Sequence, residues 1–323
     1  MGLPPTFVIK AGQTLWNSLW HTMMGSLAPR DGQGSYQRPA SQFRQWVDAN
    51  PNSKIPAEPG RYRLIVGRSC PWAHRTLVVR ALKGLDTVIP VTWAIADPSV
   101  GGWRLSTPFE GCDTLAAVYQ KASPQYDGRA TVPMLWDDRQ KQVINNESAD
   151  IIQILNSQFD DFASNSKLDL YPAELKEMCD RWNKIIYETV NNGVYRCGFA
   201  QSQFAYEKAC NELFETLDLV EAKLADSTYL CGDQLTLADA RLFPTLIRFD
   251  LVYYHLFRCS RRRIYDYPNL WNYLKTFYGQ PGIAETCDLQ GIKQDYYQSL
   301  FPLNPGGIVP LGPDLDPMLS KVN

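Results

Sequence analysis

From Arg61 onward, short runs of β-branched and aromatic residues alternate with apolar residues at helical spacing. Tyr62 to Val66 is such a run and predicts a strand, which a turn at Gly67 ends. The next segment predicts a helix that stops near Gly84, because glycine commonly follows the last residue of a helix. A second strand, Val88 to Ile95, completes a predicted parallel βαβ unit with a right-handed crossover. The apolar face of the helix consists of Leu77, Val78, Ala81 and Leu82.

Residues 97 to 128 carry few regular signals and are expected to form a long insertion. After it, Met134 to Trp136 and Gln142 to Ile144 flank a polar turn and predict an antiparallel hairpin. A helix with apolar residues between positions 151 and 155 turned inward follows the hairpin. This order of elements is that of a thioredoxin-like sheet, so the first domain is predicted to be α/β and thioredoxin-like.

Beyond about residue 170, strand signals stop and apolar residues recur at helical spacing, which predicts an all-α second domain. Thr236 and Asp239 have the spacing of a capping box at the start of one helix, and we interpret that pair as structural. The first 60 residues show no sustained periodicity and predict an extension that wraps over the core. The predicted units are an extension at 1–60, a thioredoxin-like domain at 61–160, a helical domain at 170–290 and a C-terminal tail at 291–323.

Composition excludes several classes of function. The chain has 323 residues, enough for two domains that each bury a core. Its 32 Lys and Arg nearly balance 34 Asp and Glu, so no broad positive field is expected to hold nucleic acid or an anionic membrane. No segment resembles a signal peptide or a bilayer-spanning helix, and the expected location is the cytoplasm.

The cysteines and histidines argue against structural cross-links. Eight cysteines are scattered along the chain without a Cys-x-x-Cys pair, which predicts reduced thiols rather than a disulfide framework. The three histidines, His21, His74 and His255, lie at zinc-ligand spacing from no other His or Cys. We therefore expect no metal site.

One cysteine has a context that favours chemistry. Cys70 lies where the first strand gives way to the helix, and Pro71 after it favours the first helical turn. Free amides and the helix dipole at that position stabilise a thiolate, so we expect a lowered pKa and a usable nucleophile. Most cysteines are instead buried and structural, but that interpretation does not account for the position of Cys70 at a helix start.

The position three residues after Cys70 decides how such a thiol would work. A second cysteine there would permit an internal disulfide, but the residue is Ala73. A mixed disulfide on Cys70 must then be released by an outside thiol, and glutathione is the abundant choice in the cytosol. The sequence therefore predicts a monothiol site.

Two further motifs indicate a binding site for a peptide-like thiol. Thr131-Val132-Pro133 precedes the hairpin, and the proline marks either the start of an edge strand or a cis peptide that leaves the Val132 backbone free to pair with an extended peptide. Glu147-Ser148 at the start of the next helix offers amides and a hydroxyl for an anion and a carboxylate for an ammonium group. Simple helix capping is the alternative for Glu147-Ser148.

Four strings together resemble one family. They are SCPWAHR from Ser69, GRATVPMLWD from Gly128, NNES from Asn145 and NPGGIVPLGP from Asn304. In combination they are similar to the glutathionyl-hydroquinone reductases, the Xi class of glutathione transferases, over about residues 40 to 313. CPWA and the C-terminal string are specific for this family when they occur together, whereas TVP and ES occur across the wider transferase superfamily.

The resemblance implies a fold, a partner and a set of site residues. It implies the glutathione transferase fold, a homodimer, a C-terminal tail that completes the site, and a catalytic Cys70. The residues matching the glutathione-binding positions of the family are Trp103, Arg129, Val132, Glu147 and Ser148. Those matching the hydroquinone side are Tyr195, Arg196, Tyr253 and Tyr296, of which Tyr195 and Tyr296 are also expected to be catalytic.

The tyrosines have suitable chemistry, since phenol rings stack on aromatic rings and their hydroxyl groups can donate a proton to a departing phenolate. The chain holds 17 tyrosines, however, and an individual tyrosine is more often packing than catalytic. One position departs from the family pattern, which commonly has His before the paired tyrosines where this chain has Asp295. We expect that departure to change the electrostatics of the pocket and not the thiol chemistry.

The predicted function is reduction of glutathionyl-hydroquinones to hydroquinones through a mixed disulfide of Cys70 and glutathione, with glutathione disulfide as the other product. Glutathione is then a co-substrate, and small aromatic conjugates are the partners. A thiol transferase or dehydroascorbate reductase resembling the Omega class is the alternative enzyme, and a non-catalytic binding protein of the same fold is the alternative outside enzymes. A conjugating transferase is disfavoured, because a Cys70 thiolate would repel the glutathione thiolate that conjugation needs.

Overall fold

The computed structural model describes residues 5–320, so the outer ends of the predicted extension and tail lie outside the described residues. The extension begins with helix α1, Pro5–Leu27, an element for which the sequence shows no sustained periodicity. Phe7, Val8 and Ile9 are consecutive and all exposed, so apolar side chains occupy more than one side of α1. An apolar surface that is not confined to one face gives no clear helical period in the sequence.

The later part of the extension lies on the first domain. The Gln45 amide donates to the Ile144 carbonyl at 3.0 Å, and the Asn146 amide donates to the Phe43 carbonyl at 3.0 Å. An ion pair adds to this contact, because the Arg44 guanidinium lies 2.6 Å from the Asp150 carboxylate. Residues that precede this segment are thereby held close to the end of the sheet.

The first domain is built on a six-stranded mixed sheet. Its strands are β1 Tyr62–Gly67, β2 Val91–Asp97, β3 Gly102–Phe109, β4 Cys112–Thr114, β5 Met134–Asp137 and β6 Gln142–Asn145. Their order across the sheet is β4-β3-β2-β1-β5-β6, with β1 and β2 parallel and all other neighbours antiparallel. The predicted βαβ unit and the predicted hairpin are both confirmed.

Three helices belong to this domain: α2 Pro71–Leu82, α3 Leu115–Ala122 and α4 Ser148–Ser157. Gly84 has a φ of +63° just beyond α2, the left-handed conformation that glycine adopts most readily. The insertion predicted for residues 97 to 128 instead holds β3, β4 and α3. Its strands escaped prediction because β3 is largely exposed and shifts register against β4, which removes the alternation of a half-buried strand. Strand β2 begins at Val91, after Pro90, and not at Val88.

The second domain is all helical, as predicted. Its helices are α5 Lys176–Ile186, α6 Gly193–Gly198, α7 Gln203–Lys223, α8 Leu237–Arg248, α9 Pro268–Tyr278, α10 Leu289–Ser299 and α11 Asp316–Leu319. Two π-helical turns, Tyr187–Asn191 and Phe249–Tyr253, continue α5 and α8. Short 3₁₀ turns occur at Pro98–Val100, Asp160–Phe162, Ala173–Leu175, Ile264–Asp266 and Ala284–Thr286. Among the helices of residues 5–320, none combines the length and apolar character that crossing a bilayer requires.

Helix α8 is the central element of the helical domain and packs against α2 of the first domain. The capping box predicted at its start is present: the Thr236 amide donates to the Asp239 carboxylate at 2.8 Å. Asp239 also accepts from the Leu230 amide at 2.9 Å and from the Tyr273 hydroxyl at 3.1 Å. These bonds fix the direction of α8, and therefore the position of its last residues at the boundary between the domains.

Candidate active site

A cavity of about 760 Å³ lies where the two domains meet. Its walls come from the N-terminal segment, which supplies Arg38, from the first domain, which supplies Cys70 and Val132, and from the helical domain, which supplies Tyr195 and Tyr296. This volume falls in the range of about 300–1,000 Å³ that is typical of small-molecule sites. The CPWA, TVP and NNES motifs thus each contribute to one cavity, whereas no residue of the C-terminal string from Asn304 to Pro313 lines it.

Cys70 occupies the N-cap position of α2, with extended backbone angles, and Pro71 is the first helical residue. The Cys70 amide donates to the Gly67 carbonyl at 3.1 Å, which closes the turn between β1 and α2. The Cys70 thiol donates to the Val132 carbonyl at 3.5 Å, and the residue as a whole is partly exposed. The thiol is therefore anchored at the wall of the cavity that Cys70 lines.

The electrostatics of Cys70 differ from the prediction in one respect. Burial raises the pKa of the Cys70 thiol, whereas the amides of Ala73 and Trp72 and the charges of Arg38 and Arg248 lower it. The net direction is upward, so the prediction of a lowered pKa was wrong. The sequence shows the helix start but not the desolvation that the cavity wall imposes on the sulfur.

Trp103, Val132 and Gly67 pack together beside Cys70. A side-chain carbon added at Gly67 would lie 2.3 Å from the Trp103 ring and 2.9 Å from Val132, so only glycine permits this approach. The Val132-Pro133 peptide is cis, so of the two interpretations of the TVP motif the cis peptide is the correct one. Val132 is buried, and its carbonyl points toward the thiol.

Glu147 and Ser148 begin α4 near the same end of the sheet. The Glu147 carboxylate accepts from the Ala149 amide at 3.1 Å and from the Ser41 hydroxyl at 2.9 Å. Ser148 is buried and lines the cavity, whereas Arg129 is exposed at its rim. Capping is therefore one role of Glu147, and two carboxylate oxygens retain further acceptor capacity.

Three tyrosines of the helical domain form a hydrogen-bonded group. The hydroxyl oxygens of Tyr195 and Tyr296 are 2.6 Å apart, and those of Tyr253 and Tyr296 are 3.0 Å apart. Burial is the largest cause of the raised pKa of each tyrosine. All three phenols consequently keep their protons at neutral pH.

Comparison with known proteins gives the family. Family models of the glutathione S-transferase N-terminal and C-terminal domains match residues 69–158 and 203–276. The glutathionyl-hydroquinone reductase PcpF of Sphingobium chlorophenolicum is 45% identical over 93% of this chain and 94% of its own. This chain is a member of the glutathionyl-hydroquinone reductases, the Xi class of glutathione transferases.

Solved structures of the Xi class agree in fold. The glutathione-S-transferase Xi of Phanerochaete chrysosporium is 44% identical, with a TM-score of 0.84 over 88% of this chain and 94% of the other. The glutathione-bound structure of YqjG from Escherichia coli K-12 is 42% identical, with a TM-score of 0.79 over 85% of this chain and 94% of the other. The predicted combination of a thioredoxin-like domain with an all-α domain is thereby confirmed.

Two of the residues that match the hydroquinone side of the family do not line the cavity. Tyr253 is fully buried behind Tyr296 and Tyr195, and its hydroxyl bonds to that of Tyr296. Arg196 follows Tyr195 on α6, and its guanidinium pairs with Glu212 of α7 at 2.7 Å. The Arg196 charge is thereby engaged outside the cavity.

Asp295, the departure from the family pattern, lies beside Ser69 and not among the tyrosine hydroxyl groups. Burial raises the pKa of its carboxyl, and the contact with Ser69 and the charge of Arg68 oppose that change. The carboxyl therefore acts on the loop that precedes Cys70. Within residues 5–320, no three His, Cys, Asp or Glu side chains come together as a metal site.

Sequence reasoning missed a cation and an aromatic side chain of this reductase. The Arg38 guanidinium stacks over the Trp72 ring at 3.9 Å and lines the cavity. Phe199 lines the cavity one helical turn after Tyr195. The signal for Arg38 was weak, because an exposed arginine in an irregular segment has no pattern that places it against a particular tryptophan.

It also missed Arg248, at the end of α8. This residue is 1% exposed and donates to the Ser69 carbonyl at 3.0 Å, directly beside Cys70. A signal was available here, since Arg248 is a lone cation in the apolar run from Leu242 to Tyr254. A buried arginine needs several acceptors, and the sequence gives no indication of which ones.

Proposed function

We propose that this protein reduces glutathionyl-hydroquinones to hydroquinones and uses glutathione as the reductant. The observation that carries the proposal is the position of Cys70 at the start of α2, in one cavity with the hydrogen-bonded pair of Tyr195 and Tyr296. A nucleophilic thiol and a group of protonated phenols are what transfer of a glutathionyl sulfur away from an aromatic ring requires. The activity named for PcpF and YqjG is this same reduction.

In the first step, the Cys70 thiolate attacks the glutathione sulfur of the conjugate. The new bond is a disulfide between Cys70 and glutathione, and the bond that breaks joins that sulfur to the aromatic ring. The electron pair leaves with the ring, which takes up one proton and departs as the hydroquinone. Cys70 is oxidised, the ring is reduced, and the tyrosine group supplies the proton from phenols whose pKa is raised by burial.

In the second step, the thiolate of a free glutathione attacks the glutathione sulfur of the mixed disulfide. Glutathione disulfide forms, and the electron pair of the broken bond returns to Cys70 as a thiolate. Ala73 occupies the position from which a second enzyme thiol could compete. An external thiol is therefore required for turnover.

We assign glutathione recognition to the first domain. The backbone of Val132 is the site for the cysteinyl part of glutathione, by strand-like pairing. Glu147 and Ser148 are the site for its γ-glutamyl end, since Glu147 retains acceptor capacity for an ammonium group and α4 presents its first amides to a carboxylate. Trp103 and Arg129 complete this side of the cavity.

We assign recognition of the aromatic ring to the helical domain. Tyr195 and Tyr296 contact the ring and its hydroxyl groups, and Tyr253 orients Tyr296 from behind. We assign Arg196 no contact with the ring, because its guanidinium forms an ion pair with Glu212. We also expect a homodimer located in the cytoplasm, where reduced glutathione is available for the second step.

The deciding experiment compares turnover of a panel of glutathionyl-hydroquinones, dehydroascorbate and glutathione mixed disulfides. The variants are Cys70→Ser and, as the matched control, Cys112→Ser, which changes another partly exposed thiol away from the cavity. Wild type and C112S should turn over the hydroquinone conjugates fastest, and C70S should be inactive. Mass spectrometry should find one glutathione on Cys70 when conjugate is added without free glutathione.

Two outcomes would redirect the assignment. Faster turnover of dehydroascorbate or mixed disulfides than of any conjugate would favour an Omega-like thiol transferase. Absence of both turnover and a Cys70 adduct in a protein that binds glutathione would favour a binding protein of the same fold. Unchanged reductase activity in C70S would overturn the mechanism in either case.

A further inference from the structure

The buried cation beside Cys70 comes from the other domain. Arg248 is the last residue of α8, and its side chain is almost fully buried at the boundary between the domains. Within residues 5–320, no Asp or Glu forms an ion pair with its guanidinium. A buried charge without an opposite charge is costly, so its retention calls for a specific role.

The guanidinium is bound instead to the loop that carries the thiol. Its Nε donates to the Ser69 carbonyl at 3.0 Å, and one Nη donates to the Arg68 carbonyl at 3.3 Å. The other Nη donates to the Pro244 carbonyl at 2.9 Å. Two of these acceptors directly precede Cys70 in the chain, so Arg248 fixes the backbone from which the thiol projects.

The same guanidinium sets the charge state of His74. Arginine cannot accept a hydrogen bond, so His74 Nδ1, 2.8 Å from Arg248, is the unprotonated nitrogen. Nε2 then carries the proton and donates to the Thr286 hydroxyl at 2.8 Å. Burial and the nearby charge of Arg248 hold the pKa of His74 well below its usual range. His74 is a neutral acceptor and adds no charge to the site.

We propose that Arg248 is a positioning residue of the reductase that fixes the Arg68-Ser69 carbonyls and supplies, from the helical domain, the buried positive charge that stabilises the Cys70 thiolate. This inference rests on the proposed function, in which Cys70 is the nucleophile. It follows from the pairing of charges: in the thiol state the Arg248 charge has no carboxylate partner in residues 5–320, and ionisation of Cys70, the residue after the Ser69 carbonyl that Arg248 binds, provides an opposite charge in a low-dielectric wall.

The other groups around the thiol do not replace that charge. Arg38 of the N-terminal segment also favours the thiolate, but it is exposed, so solvent screens part of its effect, and it does not belong to the helical domain. Asp295 of α10 lies beside Ser69 and opposes a thiolate where it is ionised. Arg68 and Asp288 form an exposed ion pair, 3.1 Å apart, whose opposite charges cancel. The remaining groups are neutral at pH 7 and comprise His74, Tyr195, Tyr253 and Tyr296.

The test measures the rate of Cys70 alkylation by iodoacetamide from pH 6 to pH 10, with the Cys70 peptide quantified by mass spectrometry. Three variants separate charge from hydrogen bonding. Arg248→Lys keeps the positive charge but loses the planar set of guanidinium N–H donors. Arg248→Gln keeps N–H donors but loses the charge, and Arg248→Met loses both. Arg241→Met is the matched control, since it removes a positive charge from the same helix away from the loop. Thermal unfolding checks that each variant is folded.

The profiles of R248Q and R248M should move to higher pH by about one unit or more, which lowers the alkylation rate about tenfold at any pH below the midpoint. R248K should stay within about half a unit of wild type, and R241M should be unchanged. A folded R248Q or R248M with the wild-type profile would overturn the inference. So would an R248K profile displaced by about one unit or more, and this variant remains decisive where the neutral variants do not fold.

The alkylation measurement uses no substrate of the enzyme and is therefore independent of the proposed activity. If Cys70 alkylation depends on Arg248 while glutathionyl-hydroquinones are not turned over, the inference stands and the proposed substrate is wrong. If the conjugates are turned over through Cys70 but the pH profile of alkylation is the same in wild type and the Arg248 variants, the function stands and the inference is wrong.

Discussion

The hydroxyl oxygens of Tyr195 and Tyr296 are 2.6 Å apart, although 101 positions separate the two residues in the chain. Tyr195 belongs to the short helix α6 and Tyr296 to α10, near the end of the helical domain. Tyr253 joins them from the π-turn after α8, with its hydroxyl 3.0 Å from that of Tyr296. Tyr296 is therefore the centre of the group, and removal of its hydroxyl breaks both hydrogen bonds.

Substitution Tyr296→Phe should lower kcat/KM for glutathionyl-hydroquinones by about 100-fold, a typical loss for a general acid. The reason is that the departing ring loses its proton donor, while the phenyl ring preserves packing. The matched control is Tyr297→Phe, because the Tyr297 hydroxyl reaches only the Leu251 carbonyl, at 3.5 Å. Equal activity in Y296F and wild type would remove the tyrosine group from the mechanism.

The pH dependence of Cys70 reactivity follows from its surroundings. Because burial raises the pKa of the thiol above its ordinary value, the thiolate is the minor form at pH 7. Below that pKa, the thiolate fraction grows about tenfold for each pH unit. The alkylation rate of Cys70 in the wild-type protein should therefore keep rising from pH 6 to pH 9. Mass spectrometry of the Cys70 peptide measures it, with C70S as the blank for other sites.

A plateau below pH 8 would contradict this prediction, since it would place the pKa below the ordinary range of a thiol. In that case the amides of Trp72 and Ala73 and the nearby cations outweigh burial. The sequence-based expectation of a lowered pKa would then be correct.

The elements that could be predicted from the sequence are those whose signal is local. Strand β1, helix α2 and the hairpin are regular, half-buried or fully buried elements, so their apolar periods are visible in a short window. The position of Cys70 is a local signal of the same kind, because a cysteine followed by proline lies between a strand and a helix. The resemblance to the Xi class then supplied the names of residues that no local pattern connects.

The features that could not be predicted depend on contacts between distant segments. Helix α1 and strand β3 are largely exposed and so lack a periodic pattern. The pKa of Cys70 is decided by what covers the sulfur, and that cover comes from several segments. The pairing of Arg196 with Glu212 shows the same limit, because a family match gives a position in the chain and not the direction of a side chain.

Gly67 is expected to be essential for the shape of the thiol loop. The substitution Gly67→Ala places a carbon 2.3 Å from the Trp103 ring and should destabilise the protein by about 1–3 kcal/mol, as overpacking of a buried site does. Displacement of Trp103 should also weaken glutathione binding. The control is Gly32→Ala, where an added carbon meets nothing within 4 Å. Chemical denaturation and glutathione titration measure the two effects, and a G67A protein with wild-type values in both would show that Trp103 moves aside freely.

Arg38 tests whether the N-terminal segment takes part in substrate binding. Its guanidinium lies 3.9 Å from the centre of the Trp72 ring and faces the cavity without a carboxylate partner in residues 5–320. Glutathione carries two carboxylates, and a charge-assisted hydrogen bond to one of them is worth about 1.5 kcal/mol or more.

Substitution Arg38→Ala should therefore raise the KM for glutathione about tenfold. It should change kcat much less, since the guanidinium acts on binding. Arg30→Ala is the matched control, because Arg30 is an exposed arginine of the same segment that does not line the cavity. Steady-state kinetics with glutathione as the varied substrate distinguish the two variants. A loss confined to kcat would instead assign Arg38 to the thiolate, as a second cation beside the buried charge of Arg248.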